Sequence, residues 1–123
     1  MKTKVVYVTI PLFFFLIFSS CNLKKGIDKM KEESDQTFGD QHFKTAISLI
    51  ELHKVRNGLY PDNLDSLKYL GGWDEMVHSS VSYKKLEEGY QLDLVKGWVG
   101  KPKNLKYPDD FWKGLGCVKS NLK

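Results

Sequence analysis

Two cysteines in 123 residues exclude the multi-bridge scaffold on which small secreted domains often rely. Histidine is nearly as scarce. His42, His53 and His78 are too far apart in the chain to form an i, i+3 or i, i+4 pair, so the spacing of a helical zinc site is absent. No glycine-rich phosphate loop is present: Gly71-Gly72-Trp73 reads as a turn without the following helix and Lys-Ser/Thr that phosphate binding requires. There is no internal repeat and no low-complexity tract. Nineteen basic against fifteen acidic residues give a formal charge of only +4, without a basic stripe, which argues against a nucleic-acid partner. The longest apolar run, Val5 to Phe18, falls short of the roughly 20 residues a membrane-spanning helix needs. Pro11 lies inside that run and weakens an anchor-helix reading further.

What stands at the N-terminus instead has the layout of an export signal. Lys2 and Lys4 form a positive start, Val5 to Phe18 the apolar stretch, and Ser19-Ser20 the small residues a signal peptidase requires. Phe18-Ser19-Ser20-Cys21 resembles the lipobox of bacterial lipoproteins, with Phe18 where that pattern usually has an aliphatic residue. The resemblance implies cleavage before Cys21 and acylation of that cysteine, leaving a domain anchored to a membrane through lipid. Two or three acyl chains, at roughly 0.8 kcal/mol per buried methylene, anchor a protein stably where a single chain does not. Asn22 after the cysteine, by the same resemblance, favours the outer membrane. Loss of Lys2 and Lys4 takes the formal charge from +4 to +2, and a lipidated Cys21 leaves Cys117 without a partner in the chain.

About 100 residues then remain, enough for one small domain. Asn22 to Gln36 is charged and sparsely apolar, and Leu23, Ile27 and Met30 recur at helical spacing without enough apolar surface to bury. This segment reads as a tether, interrupted by Thr37-Phe38-Gly39. The expected organisation is a signal peptide over 1–20, lipidated cysteine and tether over 21–39, and a globular domain over 40–123.

From Asp40 the periodicity is that of an amphipathic helix over 41–57. Phe43, Ala46, Ile47, Ile50 and Lys54 share a face that Leu49, Leu52 and Val55 widen, and Lys44, Thr45, Ser48, Glu51 and Arg56 lie away from it. Asp40 is its expected N-cap and Gly58 its left-handed C-terminal residue. Pro61 pushes Tyr60 into an extended conformation, and Asp62 or Asn63 caps a short helix that buries Leu64, Leu67 and Leu70. Val81–Leu86 and Tyr90–Leu94 read as a hairpin around Glu87-Glu88-Gly89, with Tyr90, Leu92 and Leu94 on one face.

Ile50, His53, Gly58, Tyr60, Pro61, Leu64 and Leu67, followed by a hairpin carrying Gly89-Tyr90-Gln91-Leu92, resemble the head of type IV pilin-like proteins. The similarity is strongest to the major pseudopilins of type II secretion, and His53 stands where those carry an aromatic. It implies an α+β fold, one long amphipathic helix packed on a small antiparallel β-sheet. The prepilin-peptidase site of that family is missing before Asp40, so the lipid anchor replaces the hydrophobic assembly helix. The family's C-terminal calcium loop is matched only by Asp109 and Asp110, which are better read as a helix start or solvated turn.

The remaining chemistry is sparse. Cys117 with His42, His53 or His78 would make a thiol–imidazole pair, but Gly-Leu-Gly-Cys-Val reads more simply as a turn entering a terminal strand with a buried thiol. Glu51, Asp62 and Asp65 are accounted for by helix-surface solvation and capping. Among the late aromatics, Trp98, Tyr107 and Trp112 either close the core or form a recognition patch for a partner or glycan. The expected function is that of a non-catalytic envelope lipoprotein without a cofactor. It acts as a structural or binding component, with an envelope protein partner, beside a secretion or pilus-like system. The alternative is a small envelope inhibitor or immunity-type lipoprotein that neutralises a hydrolase or toxin.

Overall fold

The computed structural model describes the backbone of residues 3–123 and the side chains of residues 22–123. The expected signal segment 1–20 and the expected lipidation at Cys21 lie outside the residues whose side chains are described. The chain divides into two units, Met1–Lys31 and Glu32–Lys123. Helix α1, Thr3–Asn57, contributes to both. In the first unit Leu23, Ile27 and Met30 are exposed, as their sparse spacing implies.

The second unit is an α+β fold. It begins within α1, which is continuous through Thr37-Phe38-Gly39, so the expected interruption there and the Asp40 N-cap are corrected. Gly39 belongs in the helix interior for a packing reason. A Cβ at this position would lie 2.8 Å from Pro102 Cγ and 3.0 Å from Leu94 Cδ2, so only glycine lets the helix approach this closely. The roughly 1 kcal/mol that glycine costs in a helix is offset by that contact. Residues 32–39, expected in the tether, thus pack with the domain, and Asp35 among them is buried.

Phe43, Ala46, Ile47 and Ile50 are buried along α1, each large apolar side chain contributing about 1.5–3 kcal/mol. The buried stripe is narrower than periodicity suggests: Leu49 is half-buried, and Leu52, Lys54 and Val55 are exposed. The helix turns a polar residue, Glu51, toward the rest of the domain instead. It ends as expected, with Gly58 at φ +78° donating its N–H to Lys54 O at 2.8 Å. Asn63 Oδ1 then accepts the Ser66 N–H and caps one 3-10 turn, Leu64–Ser66. Leu67 is buried and Leu64 half-buried, but Leu70 is 84% exposed and drops out of the predicted core. Two short helices follow, α2 (Gly72–Glu75) and α3 (Val77–Ser80). Gly71-Gly72-Trp73 therefore does open a helix, of one turn only.

Strands β1 (Val81–Lys85) and β2 (Tyr90–Leu94) form the expected antiparallel hairpin, with Val81 opposite Leu94 and Lys85 opposite Tyr90. Tyr90, Leu92 and Leu94 are all buried, the pattern alternation predicts. A third strand, β3 (Cys117–Lys119), joins the free edge of β2 in parallel, giving the order β1-β2-β3. The sheet is thus mixed rather than purely antiparallel. The long excursion from Val95 to Gly116 supplies the crossover that a parallel pair needs. Asn121 finishes the edge of β2: its Oδ1 accepts the Leu94 N–H at 2.8 Å and its Nδ2 donates to Leu94 O at 2.9 Å. Leu122 follows it into the core.

Candidate functional site

The three aromatics singled out in the late loops do not form one patch. Trp98 is 52% exposed and lies over Phe38, ring centroids 4.8 Å apart. Phe38 in turn packs on Trp73 at 5.6 Å, and Trp73 on His42 at 5.0 Å. Tyr107 and Trp112 belong to a second cluster, against Phe43 of the core at 5.7 and 6.0 Å and against Phe111 at 4.1 and 4.9 Å. The Tyr107 hydroxyl donates to Asp40 Oδ1 at 2.7 Å, and burial together with that acceptor pushes its pKa well up. Tyr107 and Trp112 therefore close the open side of the core, and Trp98 stands half out of it.

The loop that carries Trp98 is held by a carboxylate. Asp35 Oδ1 accepts the backbone N–H groups of Trp98, Val99 and Gly100 at 2.8, 2.7 and 3.0 Å. Successive N–H groups converging on one point make an anion cradle, and Asp35 fills it from within the chain. Burial raises the Asp35 pKa, but the three donors more than offset this and the net shift is downward. Gly97 is required here because a Cβ would run into the backbone carbonyl of Asp35. Beside this loop His42 is fully buried with neither ring nitrogen hydrogen-bonded, and burial lowers its pKa. Nothing in the sequence marks Asp35 beyond its place in a charged segment.

Cys117 is buried and its Sγ donates to Lys119 O at 3.4 Å. Burial pushes the thiol up to about 11, away from the thiolate a nucleophile needs at neutral pH. Among the described residues no hydrogen bond links Cys117 to an imidazole. The three histidines are dispersed: His42 sits in the aromatic cluster, His78 lies 3.7 Å from Asp65, and His53 faces a cleft. Glu51, Asp62 and Asp65 are also separated by their partners. Asp62 pairs with Lys85 at 2.9 Å, Asp65 with His78, and Glu51 with the hydroxyls of Tyr60 and Tyr90 and the N–H of Gly116. Asp109 and Asp110 open a 3-10 turn, Asp109–Trp112, on the surface. No three His, Cys, Asp or Glu side chains among the described residues converge as a metal-ligand group.

A concavity lies at the end of α1. It encloses about 320 Å³ between Leu49, Leu52, His53, Arg56 and Asn57 of the helix and Ser66 and Lys68 of the following segment. Its lining is apolar along the leucines and cationic at Arg56 and Lys68, with no acidic residue. Sequence reasoning placed Arg56 on the solvated face and passed over Lys68; the short chain return at Pro61 that brings the two segments together was the available signal. No protein-family model, curated protein or solved structure matches the chain.

Proposed function

We propose that this chain is a membrane-anchored lipoprotein of the bacterial cell envelope whose Glu32–Lys123 unit works by binding, as a non-catalytic structural component beside a secretion or pilus-like system. One observation carries the reading: a segment resembling an export and lipidation signal, ending at Cys21, shares the chain with a helix closed by Gly58-Leu59-Tyr60-Pro61. In that joint each residue has a part. Gly58 ends the helix in the left-handed region, Tyr60 donates back to Glu51 at 3.0 Å, and Pro61 O accepts the Tyr83 hydroxyl of β1 at 2.6 Å. Helix and sheet are thereby locked through the segment that carries the pilin-head resemblance. Cys117, the cysteine among the described residues, is held as a buried thiol, which favours binding over covalent catalysis there.

Cell fractionation tests this. Wild-type protein is expected in the membrane fraction and labelled by a fatty-acid analogue, whereas Cys21→Ser is expected unlabelled and released with its domain still folded. A Cys21→Ser protein that stayed membrane-bound would refute lipid anchoring. Photo-crosslinking from Trp98 in intact membranes is expected to capture an envelope protein; no capture from any exposed position would sink the binding role.

A further inference from the structure

Three features outside the proposed fold joint invite a function: the exposed Trp73 and Trp98 rings, the buried His42 beneath Trp73, and the cleft at the end of α1. The cleft carries the argument furthest, because its charges are unbalanced. Arg56 and Lys68 have no acidic partner among the described residues. Of the acids on the adjacent segments, Asp62 pairs with Lys85 and Glu51 accepts from Tyr60 and Tyr90, while Asp65 lies 3.7 Å from His78. The neutral polar groups are committed as well: Asn57 Nδ2 donates to His53 O at 3.1 Å and Ser66 Oγ to Asn63 Oδ1 at 3.3 Å. The donors left to a ligand are the guanidinium, the ammonium and the imidazole of His53, next to Leu49 and Leu52.

We propose that this cleft binds an acidic residue of a partner polypeptide together with a neighbouring apolar side chain. The carboxylate sits between Arg56 and Lys68, and the apolar group lies on Leu49 and Leu52. Arg56 offers a planar fork suited to a carboxylate, and Lys68 adds a second, adjustable charge. Ligand pockets run from about 300 to 1,000 Å³, so a cleft of about 320 Å³ takes one or two side chains rather than a lipid with its acyl chains. This deepens the proposed binding role and rests on it by supplying the chemistry of the partner.

The test uses the full chain, isotope-labelled in detergent micelles, titrated with an acetylated and amidated hexapeptide of alternating leucine and glutamate. Its glutamine counterpart serves as control. Backbone signals of residues 52–57 and 66–68 are expected to shift with the glutamate peptide, and roughly tenfold weaker binding is expected for the glutamine peptide. The variant Arg56→Gln/Lys68→Gln alters two exposed side chains and is expected to keep the wild-type spectrum elsewhere while losing the response. Equal binding of both peptides, an unaltered response in the variant, or no shift in the wild type would overturn the assignment. So would shifts at these residues with anionic phospholipid vesicles but not with the peptide. A cleft that fails while crosslinking from Trp98 still captures a protein refutes this site alone. A cleft that binds while crosslinking captures nothing supports the site and counts against the wider envelope role.

Discussion

Tyr60 and Tyr90 place their hydroxyls on the two oxygens of one carboxylate, that of Glu51, at 3.0 and 2.9 Å. Their rings meet edge-on with centroids 5.0 Å apart. The Gly116 N–H adds a third donor to Glu51 Oε1 at 2.8 Å. One side chain of α1 thus joins the Tyr-Pro segment, the central strand and the turn before β3. Burial and the Glu51 carboxylate push the Tyr60 hydroxyl up to about 12, so it stays a donor across the accessible pH range.

Replacing Glu51 by alanine leaves three donors without their acceptor, at roughly 1–3 kcal/mol for each that stays buried. The expected loss is about 2–4 kcal/mol, against about 1 kcal/mol for Tyr60→Phe, which removes a donor and leaves Glu51 two others. Thermal unfolding followed by near-ultraviolet circular dichroism measures both, at about 4–8 °C per kcal/mol for a domain of this size. A Glu51→Ala protein as stable as wild type would contradict the joint's role.

Acid is expected to weaken the domain in two stages. His42 is held neutral by burial, with a folded pKa below its ordinary 6.5. The unfolded chain therefore takes up this proton first, and the contribution of His42, complete above 6.5, is lost as pH falls through the folded value. Asp35, with its pKa below the ordinary 3.8, contributes fully above that value and loses its effect as pH falls through the lowered one. Urea midpoints from pH 8 down to pH 3 should decline in that order. His42→Phe is expected to flatten the first decline and leave the second.

The two aromatic clusters should differ in what they hold together. Trp112→Ala removes a ring packed on Phe43, Tyr107 and Phe111 and is expected to cost about 2–4 kcal/mol. Trp98→Ala removes a half-exposed ring and is expected to cost about 1 kcal/mol or less, because the Asp35 bonds to its loop come from backbone groups. Denaturant unfolding of both variants checks the contrast; equal losses would contradict it.

Cys117 should resist thiol reagents in the folded domain. With its pKa pushed up to about 11 and its side chain buried, it is expected to react slowly at neutral pH and fully once urea unfolds the chain. The Cys21→Ser background leaves it as the sole thiol to count. Rapid modification of the folded protein would reopen the case for a reactive cysteine.

The parts legible in the sequence are those where one period repeats undisturbed. Phe43, Ala46, Ile47 and Ile50 mark the buried stripe of α1, and Tyr90, Leu92 and Leu94 the inner face of β2. Gly58 and Asn63 act as their residue types predict, because a helix end and a cap are local matters. Gly39 misleads for the opposite reason: its justification is the approach of Pro102 and Leu94, more than fifty positions away. Glu51 looks like a solvated residue until Tyr90 and Gly116 are placed beside it. Leu52 and Val55 are apolar yet exposed, since the sheet covers only part of the helix surface, and Leu70 is exposed in the irregular segment before α2. Arg56 and Lys68 line one cleft although they are twelve positions apart, which helical periodicity does not show.

The carboxylate of Asp35, seated among the amides of residues 98–100, also sets where a self-sufficient fragment must start. A protein trimmed to begin at Asp40 would strip the anion from its cradle and uncover Pro102 where Gly39 had covered it. Proteases digesting the native chain should accordingly pare it back no further than the turn of helix before Asp35, and the shortest folded core should retain residues 32–39.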